Sequence, residues 1–63
     1  MTRIERHAGP VRALVVDDSA LMRKLLSEIL QATGEIEIVG AARDGEEALA
    51  LAAKLLPDVI TLD

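Results

Sequence analysis

Two short apolar runs in this sequence end in acidic residues. Val11–Val16 is followed at once by Asp17-Asp18-Ser19, and Val59–Leu62 by Asp63. Carboxylates gathered at one place repel each other unless a cation lies between them. A site built only of oxygen donors suits Mg2+, which keeps several of its waters and often bridges to a phosphate. A carboxylate left free beside such an ion can attack a phosphoryl donor and become an acyl phosphate. The ion would neutralise the charge that develops on the phosphoryl oxygens, and phosphoryl transfer asks little more of a protein than positioning and electrostatics. A plainer role competes with this one. Acidic residues at strand ends also serve as turn formers and helix caps, and an Asp after an apolar strand can be no more than a solvated end. Asp44-Gly45 with Glu47 three residues after Asp44 reads as a loop and a capping box without chemistry of its own. His7 has no second ligand nearby in the sequence and reads as a solvated side chain.

For Asp17, Asp18 and Asp63 to meet, the elements that carry them must be neighbours. Val11–Val16 is mostly apolar and β-branched and stops at polar turn residues, which predicts a buried strand. From Ala20 to Thr33 the period changes: Leu21, Met22, Leu25, Leu26, Ile29 and Leu30 fall on one helical face and Arg23, Lys24, Ser27, Glu28 and Gln31 on the other. Arg23 and Lys24 are expected on a solvated face, with Lys24 spaced to pair with Glu28. Ser19 is the expected N-cap and Gly34 the C-terminal stop. Ile36–Ala42 is a second strand, with Ile36, Ile38 and Gly40 alternating with Glu37, Val39 and Ala41. That partial alternation suggests an edge. Glu46–Leu56 is rich in Ala and Leu and forms a second helix, which Pro57 ends. Asp58–Leu62 is a third strand.

The order is therefore β-α-β-α-β with short connections, the pattern of a parallel sheet with right-handed crossovers. With the first strand central, in the order 2-1-3, Asp17, Asp18 and Asp63 share the crevice beyond the carboxyl ends of the strands, where sites form in such sheets. Residues 1–10 are charged, end in Gly9-Pro10 and read as a flexible tail.

Composition narrows the function classes. The 63 residues can form one small domain, and they contain no Cys, Phe, Tyr or Trp, so the core is aliphatic and has no disulfide. A net charge of −4 without aromatic residues argues against a nucleic-acid binder. No apolar run approaches the roughly 18 residues of a membrane span, and the polar N-terminus lacks the apolar stretch of a signal peptide. A soluble, cytoplasmic chain is expected. Neither G-x-G-x-x-G nor G-x-x-x-x-G-K-[ST] occurs, which leaves a nucleotide-binding βαβ unit without its phosphate loop. A phosphatase of the haloacid-dehalogenase type would expect D-x-D where this chain has Asp17-Asp18-Ser19.

Three segments resemble response-regulator receiver domains at the right spacing. Leu14-Val15-Val16-Asp17-Asp18-Ser19 resembles the first strand and acidic pair, Asp44-Gly45 with Glu47-Ala48-Leu49 the start of the second helix, and Pro57-Asp58-Val59-Ile60-Thr61-Leu62-Asp63 the third strand and phosphoacceptor. The resemblance spans Val11 to Asp63. Asp17–Arg23, Ile38–Ala42 and Val59–Asp63 further resemble the receivers of chemotaxis-type protein-glutamate methylesterases. It implies a truncated flavodoxin-like α/β fold, the N-terminal half of a receiver in residues 11–63. Asp63 would be the phosphoacceptor and, with Asp18, a direct Mg2+ ligand, and Asp17 would act through a metal-bound water. A histidine kinase would be the phosphoryl donor in two-component chemotaxis signalling. The parent would be a phosphorylation-regulated methylesterase.

The family's third metal ligand, its switch hydroxyl and its Lys all fall beyond Asp63, as would any methylesterase triad. This stretch alone is accordingly not expected to be an enzyme or a competent switch. Its third strand would be an open edge, and part of the first helix would lack a neighbour. The missing C-terminal half, or a second copy of the chain, is the expected partner. A self-associating half-domain without phosphoryl chemistry is the alternative function.

Overall fold

The computed structural model describes residues 9–62. The expected tail up to Ala8, His7 included, and Asp63 lie outside the described residues.

The chain runs β1 (Val11–Val16), α1 (Ala20–Gln31), β2 (Ile36–Ala42), α2 (Gly45–Leu55) and β3 (Val59–Leu62). The three strands are parallel in the order β2-β1-β3, so β1 is central and both of its neighbours are edges among the described residues. That is the α/β architecture and strand order the alternation implied. β1 is buried from Ala13 to Val16 because it is covered on both faces and paired on both sides, which is why its sequence is a continuous apolar run.

Side chains alternate across a strand, so Leu14 and Val16 face α2, where they pack with Ala42, Ala48, Leu51 and Ala52. Ala13 and Val15 then face α1. The two helices rest on β1 and β2 without touching each other, and neither reaches β3.

The alternation of β2, partial in the sequence, breaks at a definite place. Ala13 pairs with Ile38 but Leu14 with Gly40, so Val39 is an inserted residue, a bulge. The bulge reverses the parity of the strand: Ile36 and Ile38 share the face of Ala13, whereas Gly40 and Ala42 share that of Leu14 and Val16. Gly40 is needed there. A Cβ on it would lie 2.8 Å from Leu55 Cδ1 and 3.2 Å from Leu14 Cδ1.

The helix ends differ from expectation by a residue or two. Ser19 caps α1 as expected, its hydroxyl accepting from Met22 N–H at 3.2 Å. The helix stops at Gln31, since Thr33 turns its hydroxyl back onto the Leu30 carbonyl at 3.0 Å and accepts there from Glu35 N–H. Gly34 takes the left-handed conformation, φ 77°, that starts the chain toward β2. α2 begins at Gly45 with Asp44 accepting from Glu47 N–H at 2.8 Å. The returning bond of the expected capping box shifts by one residue: Glu47 accepts from Arg43 N–H, and its carboxylate lies 3.8 Å from the Arg43 guanidinium. Leu56 leaves the helix in a left-handed conformation, φ 50°, because Pro57 disfavours a right-handed turn before it. Arg12 ties this corner to β1. Its guanidinium donates to the Leu56 carbonyl at 2.9 Å, its N–H to the Asp58 carboxylate at 2.9 Å, and its carbonyl accepts from Asp58 N–H at 2.7 Å. β3 therefore starts at Val59 rather than Asp58.

Candidate functional site

The carboxyl end of β1 emerges between its two neighbours, where the strand order reverses. Asp17 is the first residue past the strand. Its N–H donates to the Ala42 carbonyl of β2 at 3.0 Å, which carries the pairing one step beyond the strand. Its side chain is 3% exposed. Oδ1 accepts from Ser19 N–H at 2.9 Å, closing a tight turn, while Oδ2 is buried with no hydrogen-bond partner. An acceptor-only oxygen in that state is costly to a fold, and a hard cation or a water bound to one would satisfy it. Asp18 beside it is exposed. Thr61 hydroxyl oxygen is the other buried side-chain atom without a partner among the described residues. It lies on β3, and Thr61 is the register partner of Val15, two residues before Asp17.

Of the expected cation site, the structure brings Asp17 and Asp18 together at the strand end. Asp63 lies outside the described residues. Among those residues no group of three or more acidic or imidazole side chains is assembled to hold a metal ion. The residues present do fit a hard cation, since they offer only oxygen donors and one of those oxygens is buried and unpaired. Asp44 and Glu47 are used by the α2 cap, as expected.

Arg23 departs from expectation. Instead of lying on a solvated face it is half-buried, and its guanidinium donates to the Asp17 carbonyl at 2.7 Å. The helical period of α1 could not have marked it, because the bond depends on how α1 leaves β1. Its place in the first turn of a helix, where a cation is disfavoured, is the signal that was available.

This geometry, a central parallel strand ending in a paired acidic turn between two parallel edges, is that of an open parallel α/β module with its crevice at the carboxyl ends of the strands. The model of the response regulator receiver domain matches residues 13–63, and the chain belongs to that family. The protein-glutamate methylesterase/protein-glutamine glutaminase of Symbiobacterium thermophilum is 52% identical over 59 residues, covering 94% of this chain and 16% of that protein. The protein of the same description from Bacillus subtilis is 58% identical over 53 residues, covering 84% of this chain and 15% of that protein. The chain thus spans about a sixth of the length of these relatives. Among solved structures, the response regulator domain of Thermotoga maritima CheB superposes with a TM-score of 0.83 at 50% identity, covering 86% of this chain and 40% of that one.

Proposed function

We propose that this chain carries the phosphoacceptor site of a chemotaxis receiver and takes a phosphoryl group from a phosphohistidine of a histidine kinase onto Asp63. The observation that carries the reading is the buried, unpaired Oδ2 of Asp17 at the carboxyl end of β1. The pairing of β1 with β3 supports it too: Val16 is opposite Leu62, and Asp17 and Asp63 are the next residue of each run. In this reading Asp18 and Asp63 would hold Mg2+ directly, and Asp17 would hold it through a water. The ion supplies charge neutralisation at the phosphoryl oxygens. An oxygen of Asp63 attacks phosphorus, the P–N bond to the donor imidazole breaks, and the leaving nitrogen takes up a proton.

Residues 11–63 are then the N-terminal part of a receiver. In this reading the whole protein is a cytoplasmic protein-glutamate methylesterase under phosphorylation control; of this, the methylesterase activity is what the relatives' names carry. The remaining receiver elements and the catalytic domain would be its partners in the same polypeptide. Intact mass after incubation with acetyl phosphate and Mg2+ tests the acceptor assignment. The expected result is one phosphoryl adduct on the natural sequence and none on Asp63→Asn. An adduct that survives this substitution would move the acceptor elsewhere.

A second reading, self-association through uncovered surface without phosphoryl chemistry, is favoured by the exposure of Leu21, Leu25 and Ile29 on α1. Association that ignores both Mg2+ and Asp63 would distinguish it.

A further inference from the structure

We infer that Arg23 is a positioning residue for Asp18, holding its carboxylate toward a bound cation; this inference rests on the proposed cation site. The Asp18 side chain is exposed and accepts no hydrogen bond among the described residues, so what the fold fixes of it is the backbone from which it projects. Both peptides that flank it are fixed. The carbonyl before it, that of Asp17, accepts from the Arg23 guanidinium at 2.7 Å. The N–H after it, that of Ser19, donates to Asp17 Oδ1 at 2.9 Å. A bond to a charged donor is among the stronger hydrogen bonds available to a carbonyl, and Arg23 is itself held by α1, where its own carbonyl accepts from the Ser27 hydroxyl at 2.7 Å.

The two helices make the placement of Arg23 informative. α2 follows the helix dipole, with Glu46 and Glu47 in its first turn and Lys54 in its last. α1 has no acidic residue in its first turn and places Arg23 there. A cation in that position opposes the dipole, and what it gains there is the bond to the Asp17 carbonyl, beside the proposed cation site. Residues that orient metal ligands without touching the metal commonly matter by about 10- to 100-fold in affinity.

The charge of Arg23 and its hydrogen bond predict opposite signs, which makes the test decisive. Removing a nearby cation would tighten Mg2+ binding, whereas releasing the Asp17–Asp18 peptide would weaken it. The whole protein is titrated with Mg2+ by calorimetry and with Mn2+ by electron paramagnetic resonance, as natural sequence, Arg23→Met, Arg23→Lys and Asp18→Asn. Metal-free melting is recorded for each. The expected result is a dissociation constant raised about tenfold or more in Arg23→Met, with metal-free melting retained and much of the affinity restored in Arg23→Lys. Unchanged or tighter binding in a folded Arg23→Met protein overturns the inference. If that variant does not fold, Arg23→Gln, polar but too short to reach the carbonyl, is judged by the same criterion. Natural protein that binds no Mg2+, or Asp18→Asn that binds it equally well, overturns the proposed cation site and this inference with it.

Discussion

At the scale of single residues, the informative atom is Asp17 Oδ2. Burial without a partner is a cost that native proteins avoid or use, and a carboxylate next to a second one in sequence increases it. Asp17→Asn separates use from structure. The Asn carbonyl can keep the bond to Ser19 N–H, while its NH2 group cannot accept from a metal-bound water. The metal-free variant is expected to melt no lower than the natural protein. The natural protein should gain about 2.7 kcal/mol when Mg2+ stands at a hundred times its dissociation constant, and the variant should lose that gain. Thermal melts with and without Mg2+ provide the check. A metal-free loss of more than about 1 kcal/mol would show instead that the charge itself supports the turn.

At the scale of elements, much was legible because local chemistry and tertiary placement agree. Ser19, Asp44 and Pro57 set helix ends through bonds and sterics that span four residues or fewer, and the structure uses each of them. The mostly apolar run of β1 marked it as a buried strand, which the structure bears out from Ala13 to Val16. What stayed hidden depends on neighbours in space. The bulge at Val39 shows in the sequence only as a broken alternation with an isolated Gly, Gly40, beside it. The link from Arg12 to Leu56 and Asp58 joins positions more than 40 residues apart. Arg23 bonds to a carbonyl six residues back, across a turn that helical periodicity does not describe. Gly40 tests the bulge. Its missing Cβ lets α2 lie close on β2, and the obstructing Leu14 is fully buried and cannot withdraw. Gly40→Ala is therefore expected to cost about 1–3 kcal/mol, the usual range for overpacking, measured by urea denaturation. A cost near zero would mean that Leu55, only half-buried at the end of α2, swings aside.

At the scale of the whole molecule, composition foretold an aliphatic core but not how little the described elements would bury. The buried apolar set is Ala13, Leu14, Val15, Val16, Ala42 and Ala48, half of it alanine, and burying a large aliphatic side chain fully contributes only about 1.5–3 kcal/mol. The apolar stripe of α1 is wider than the sheet can cover. Leu26 and Leu30 are half-buried, while Leu21, Met22, Leu25 and Ile29 are exposed. Among the described residues β3 has a free edge with no helix packed on either face, and Val59, Ile60 and Leu62 are exposed along it. The Thermotoga maritima receiver, of which this chain matches 40%, has further chain with which to cover such surfaces. A polypeptide of these 63 residues alone has only another copy of itself, and its charge of −4 is too small to hold copies apart against apolar surface of this extent. Its sedimentation coefficient is therefore expected to rise with concentration. Ile29→Glu, at a position 64% exposed, should shift it toward the monomer without loss of helix content, because nothing in the folded chain has to move to admit the charge. A well-folded monomer at high concentration in the natural sequence would exclude association through these faces.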